Sequence, residues 1–224
     1  MRQMLVTKPR VLCLHGYRES AAIMERHMEV WPNDVLEKMD LVFIDAPFPA
    51  EETSGPEGKC DSHLSWLGTN EDFTEFKNFD ETIAYIEGCM VEPGPFDGLL
   101  RFSQGSMIAA LLPGLQTQGV SLTKVDKIKF VIVIAGGKLG GSKFSAPELA
   151  KNVFSSPTEC SSLHFIGEKD FAKPGGIELL GSYVNPFVIY HQEGHVIPKL
   201  GNMQKKIICL VKLLITLSVL QKLV

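Results

Sequence analysis

The sequence predicts an α/β fold: a mostly parallel central sheet flanked by helices, in one domain spanning residues 1–224. Three observations predict it. Six short runs rich in Val, Ile, Leu and Phe recur along the chain. Their hydrophobicity is nearly continuous instead of alternating, as in strands covered on both faces. Segments with helical spacing lie between them, and strands that alternate with helices connect through parallel crossovers. With 224 residues, 45% of them hydrophobic, the chain can bury a core of that size.

Taken in order, the first run is Arg10 to Leu14, closed by His15-Gly16 and followed by helical spacing from Ala21 to Val30. Leu41 to Ile44 forms the second strand. The segment from Pro47 to Gly68 is too rich in Pro, Gly, Glu and Ser for a regular element, and loops of that length often serve as lids or binding walls. A helix over Phe79 to Val91 leads into the strand Gly98 to Phe102, and a helix over Gln104 to Leu112 leads out of it. Strands at Ile128 to Ala135 and Leu163 to Ile166, a helix at Gly176 to Tyr183 and a last strand at Phe187 to Tyr190 complete the pattern. The tail, 201–224, is apolar from Ile207 onward but interrupted by Lys212. Its uninterrupted stretch falls short of the ~20 residues a spanning helix needs, so a helix packed on the sheet is expected, with membrane attachment as the alternative.

Composition narrows the function classes. A charged fraction of 21% and a net charge of −4, with no basic patch, give no electrostatic reason to expect a nucleic-acid partner. The opening M-R-Q-M-L-V-T-K-P-R lacks the apolar segment of a secretory signal. The five cysteines (Cys13, Cys60, Cys89, Cys160, Cys209) are odd in number and show no C-x-x-C spacing, so they read as buried or incidental thiols. A reducing compartment is expected, the cytoplasm, with the nucleus left open. Neither a repeat, a nucleotide loop nor a metal-ligand cluster emerges. The oligomeric state is not legible.

In parallel sheets, ligands bind beyond the carboxyl ends of the strands, and there the polar chemistry gathers. L-L-R-F-S-Q-G-S-M, Leu99 to Met107, sets Ser103 between an apolar strand and a helix start, with the spacing of a nucleophile elbow, G-x-S-x-G. Gly105 keeps the second small residue; Arg101 replaces the first. Ser103 is either a nucleophile or a capping serine. Asp170, in F-I-G-E-K-D, follows a strand and is either a triad acid or the N-cap of the next helix, with Glu168 a weaker acid closer to the strand end. Y-H-Q-E-G-H-V-I-P offers His195 in the loop after the last strand, whereas His191 belongs to the strand itself. The chain order Ser, Asp, His is that of α/β-hydrolases. An oxyanion hole would use the N–H after the nucleophile, at Gln104, and one after the first strand, at Tyr17, with Gly16 letting the backbone approach the substrate.

These segments carry a resemblance. P-R-V-L-C-L-H-G-Y-R, D-L-V-F-I-D-A-P-F-P-A, G-P-F-D-G-L-L-R-F-S-Q-G-S, K-F-V-I-V-I-A-G-G, S-L-H-F-I-G-E-K-D and E-G-H-V-I-P, between about Pro9 and Leu200, are similar to the FSH family of serine hydrolases, especially its plant members. The resemblance implies an α/β-hydrolase fold acting on small-molecule acyl esters or thioesters through an acyl-serine intermediate. It places Ser103, Asp170 and His195 at the triad positions and implies no metal or organic cofactor. The chain departs from the family pattern in its apolar tail after Leu200 and in R-F-S-Q-G where the family has G-F-S-Q-G. Arg101 therefore raises an alternative: a hydrolase-shaped binding protein whose elbow is distorted and whose activity is weakened or lost, unless the guanidinium reaches solvent, Asp45 or Asp97.

Overall fold

The computed structural model describes residues 8–51 and 63–201, together with 205, 207–209, 211 and 216. Six parallel strands form the central sheet: β1 (Arg10–Leu14), β2 (Asp40–Ile44), β3 (Gly98–Phe102), β4 (Phe130–Ile134), β5 (Ser161–Gly167) and β6 (Phe187–His191). Their spatial order is β6-β5-β4-β3-β1-β2, so β3 is central. Register runs straight across the middle: Leu14 pairs with Arg101, Arg101 with Val133, and Val133 with His164.

Successive strand residues alternate between two apolar layers, because a strand's side chains point to opposite faces. Leu12, Leu14, Leu99, Val131 and Val133 join one core with helices α3 (Phe79–Val91), α4 (Ser103–Ala109) and α5 (Leu112–Thr117). Val11, Cys13, Leu100, Phe102, Ile132 and Ile134 join the other, with Met24 and Met28 of α1 (Ala21–Met28), Val35 of the one-turn α2 (Asn33–Leu36) and Trp31. That double burial is why the strand sequences read as continuous apolar runs. Ile207 and Val211 enter this second core, and the described tail residues 205, 207–209, 211 and 216 are helical. Among the described residues no helix is long and apolar enough to cross a membrane.

Several boundaries differ from expectation by a few residues, and three departures have local reasons. The helix expected over Gln104 to Leu112 stops at Ala109 and restarts as α5, whose first turn holds Pro113, a residue without an N–H to continue the ladder. Helix α6 (Lys173–Leu180) begins three residues before the apolar spacing suggests, with Pro174 in its first turn, where the missing N–H costs nothing. Within the irregular segment after Pro47, Phe48–Pro49 pairs antiparallel with Leu64–Ser65, and Trp66 and Leu67 are buried; residues 52–62 lie outside the described set.

Candidate active site

Ser103 is the residue at which β3 becomes α4. Phe102 is extended, at φ −124°, and Ser103 then takes φ +52°, a left-handed conformation that costs a serine on the order of 1–3 kcal/mol. The sharp turn lifts Oγ above the carboxyl edge of the sheet. Gly105 makes the approach possible, because a Cβ there would lie 2.6 Å from the carbonyl oxygens of both Leu14 and His15. Ser106 Oγ holds the helix start to the strand ends, 2.9 Å from the carbonyl oxygens of Arg101 and Ile134.

The loops after β5 and β6 bring the other two groups to this serine. His195 Nε2 lies 2.8 Å from Ser103 Oγ, and its Nδ1 lies 2.8 Å from Asp170 Oδ1. Ionised, a carboxylate only accepts, so Nδ1 carries the proton and Nε2 presents its lone pair to the hydroxyl. Oδ1 of Asp170, nearly inaccessible to solvent, also accepts the Ala172 N–H at 2.8 Å, on the way into α6. Asp170 is thus in contact with His195, whereas the expected N-cap role is not realised: the N-cap of α6 is Ala172, without a side-chain cap, and Asp170 holds only the turn before it. Phe171 stacks on the imidazole with ring centroids 4.4 Å apart, and Phe102 flanks it at 5.2 Å. Glu168 instead pairs with Lys173, and His191 is buried in β6.

Gln104 and Tyr17 line one cleft with Ser103, as an oxyanion hole at these positions requires. A scaffold that the motifs did not reveal fixes both. The Gln104 side chain accepts from Trp66 N at 2.9 Å and donates to Leu67 O at 3.0 Å. His15 is fully buried; its Nε2 accepts the Ala46 N–H at 2.9 Å, so Nδ1 is the donor to Gly16 O at 2.7 Å. Burial lowers the His15 pKa, keeping the ring in that neutral form. Trp66 Nε1 donates to His15 O at 2.8 Å, joining the two loops. Gly16 fills a tight corner: a Cβ would stand 3.0–3.2 Å from Glu19, Phe102 and Ser103. None of Trp66, Phe171 or the Gln104 amide stands out by spacing, since their partners lie far away in sequence.

Above Ser103 the cleft encloses about 480 Å³, with Phe48, Leu67, Phe73, Met107, Phe144 and Phe171 in its walls. Its mostly apolar lining suits an acyl chain or another apolar group, with the reactive hydroxyl at its floor.

Arg101 corrects two expectations. Its side chain does not crowd the elbow: it is fully buried on the α4/α5 face of the sheet, with its NH2 atom 3.5 Å from the Tyr183 hydroxyl, which itself donates to Ala110 O at 2.8 Å. Nor does it find a carboxylate among the described residues. Asp97 bonds Lys129 and the Arg10 N–H, and Asp45 accepts from Ala21 N. Among the described residues Nε and NH1 of Arg101 have no hydrogen-bond partner, and burial lowers its pKa.

Comparison with known proteins shows the family and the fold. The family model described as Serine hydrolase (FSH1) matches residues 3–207. Esterase OVCA2 of Xenopus tropicalis is 29% identical over 213 residues, covering 88% of this chain and 89% of that protein. Esterase CG5412 of Drosophila melanogaster is 30% identical over 217 residues, covering 91% and 74%. Rhodanese-like domain-containing protein 6 of Arabidopsis thaliana is 28% identical over 223 residues, but this chain spans only 36% of its length. Among solved structures, Zea mays acyl-protein thioesterase 2 shares the fold at TM-score 0.59 and 15% identity, with 94% of this chain and 97% of that one covered. Arabidopsis thaliana SOBER1 shares it at TM-score 0.57 and 18% identity, covering 93% and 99%.

Proposed function

The chain belongs to the serine hydrolase (FSH1) family and is an ester-hydrolysing enzyme, and we propose that Ser103, His195 and Asp170 carry its reaction on a small-molecule carboxylic ester or thioester. The observation that carries this reading is the continuous relay at 2.8 Å and 2.8 Å, ending on a serine held at φ +52°.

In that mechanism His195 Nε2 takes the hydroxyl proton as Ser103 Oγ attacks the acyl carbon, and Asp170 stabilises the imidazolium that forms. The backbone N–H groups of Gln104 and Tyr17 receive the oxyanion. Their positions are set by the Trp66 and His15 scaffold, so little reorganisation accompanies the charge. His195 then gives the proton to the leaving oxygen or sulfur, leaving an acyl-serine, and the same base activates the water that releases it. No step asks for a metal or cofactor. We place the enzyme in the cytoplasm, a reading supported by the unpaired thiols of Cys13, Cys89, Cys160 and Cys209.

Rapid mixing with p-nitrophenyl acyl esters tests the reaction. A burst of p-nitrophenol with one acyl group attached at Ser103 is expected. Turnover that persists in Ser103→Ala, with no acylated peptide, would refute it.

A further inference from the structure

We propose that Lys143 makes this cleft selective for esters that carry a negatively charged group, such as a carboxylate, within reach of the catalytic histidine. The inference rests on the hydrolase reading above. Three observations carry it.

First, the Lys143 ammonium stands over three rings at once, 5.3 Å from the centroid of Phe144, 5.8 Å from Phe171 and 5.9 Å from Phe73. These distances are within cation–π range, so the aromatic faces hold the charge at the cleft wall without neutralising it. Among the described residues no carboxylate lies within 4 Å of it. Phe171 is also the ring stacked on His195, so one phenyl ring separates the ammonium from the imidazole.

Second, the loops that present the cage are built to stay in place. Glu178 accepts the Ser142 N–H at 3.0 Å and its hydroxyl at 2.9 Å, and these bonds pull the Glu178 pKa down. Gly140 N and Gly141 N donate to Phe144 O at 3.0 Å, and Ser145 N donates to Phe73 O at 3.1 Å, tying the Lys143 loop to the turn that carries Phe73. Lys143 thus sits between two anchored neighbours.

Third, Phe73 adopts φ +53°, a conformation that is strained for a bulky aromatic side chain. Asn70 clamps the turn around it, accepting from Thr74 N at 2.9 Å and Glu75 N at 3.1 Å. Its ring meets Phe144 edge-on at 5.1 Å. A strained aromatic held where it completes the wall around a cation indicates that this geometry has a use.

A mostly apolar cleft with an ammonium held against three rings, and no carboxylate within 4 Å of it among the described residues, favours a substrate that is apolar over most of its length and anionic at one point. The other charged groups in the walls are Glu51, Glu71 and Lys77; Glu71 lies on the turn that carries Phe73, and neither glutamate pairs with the Lys143 ammonium among the described residues. The anion can belong to the acyl chain or to the leaving group, and matched ester pairs separate the two. p-Nitrophenyl hydrogen adipate against p-nitrophenyl hexanoate probes the acyl side; 4-hexanoyloxybenzoate against its methyl ester probes the leaving side.

The readout is the charged-to-neutral ratio of kcat/KM at low ionic strength. In at least one pair it is expected to fall about tenfold in Lys143→Met, to fall further in Lys143→Glu and to be retained in Lys143→Arg. The same ratio in all four proteins, in both pairs, would overturn the inference. Binding of monomethyl adipate and of methyl hexanoate to Ser103→Ala, followed by tryptophan fluorescence with and without Lys143→Met, keeps the two readings apart. A preference for monomethyl adipate that disappears with Lys143→Met supports the cage even if no ester turns over, whereas absence of any preference, or one that Lys143→Met leaves unchanged, counts against the cage even if esters are hydrolysed.

Discussion

Two clusters of polar side chains flank the end of β3, and they obey opposite rules. At the carboxyl edge, Ser103, His195 and Asp170 form a chain of hydrogen bonds at 2.8 Å, with Asp170 also holding the turn before α6. Beneath it, on one face of the sheet, Arg101, His164 and Ser162 lie near Tyr183 and Ser182, and among the described residues several of their polar atoms have no partner: Nε and NH1 of Arg101, Nε2 of His164, and both serine hydroxyls. Arg101 and His164 stand in one row across Val133, so two basic groups share one apolar layer. The contrast teaches where each cluster acts. Satisfied geometry is kept where a proton has to move, while the unsatisfied cluster lies out of the cleft and costs stability instead of rate.

The sharpest way to break the comparison is to remove one function from a residue that has two. Asp170→Asn keeps an oxygen for Ala172 N but permits the wrong His195 tautomer. We expect kcat to fall by about 10⁴-fold with little change in the unfolding midpoint. A parallel loss of stability would show that holding the turn, not tautomer control, dominates at this position.

Replacing the buried cation should do the reverse. Arg101→Met is expected to stabilise the fold by about 1–4 kcal/mol in urea titration, while turnover changes by less than about threefold. A less stable Arg101→Met protein would mean that the guanidinium makes bonds the comparison denies it.

Smaller again is the effect of pH on the same cluster. Burial, and then the charge of Arg101, push the His164 pKa down to about 3, while in the unfolded chain it titrates near 6.5. Between these values the unfolded state binds the extra proton, so stability is full above pH 6.5 and falls as pH drops through the window. Roughly 2 kcal/mol should be lost between pH 7 and pH 5 from this group, and His164→Leu should flatten the slope. Burial lowers the pKa of His15 and His191 too, which adds to the loss in the same direction.

The smallest expected effect concerns the scaffold. Gln104→Met leaves the backbone donor in place but removes the clamp on Trp66 and Leu67. A decrease in kcat/KM of about three- to tenfold is expected with p-nitrophenyl esters, and an unchanged value would show that the loop holds the oxyanion hole unaided.

Much of this was legible in the sequence because it is written in local patterns. Doubly buried strands announce themselves as apolar runs, and the three polar positions Ser103, Asp170 and His195 follow strand ends, where a parallel sheet gathers its chemistry. Helix ends were less legible because Pro113 and Pro174 outweigh apolar spacing. What local patterns could not convey were contacts between distant segments: Trp66 on His15, Phe171 on His195, and the three rings around Lys143. Arg101 was misplaced for a different reason. Its position beside the nucleophile suggested a crowded elbow, but strand alternation directs the side chain into the core, toward Tyr183.

The central claim is that Ser103 is an activated nucleophile despite Arg101, and a fluorophosphonate probe tests it directly, because such a reagent labels only an activated serine. The natural chain, Ser103→Ala and Arg101→Gly would be treated side by side. We predict that the natural chain and Arg101→Gly label at similar rates and that Ser103→Ala does not label. Labelling confined to Arg101→Gly would contradict the account and show that the arginine silences the site.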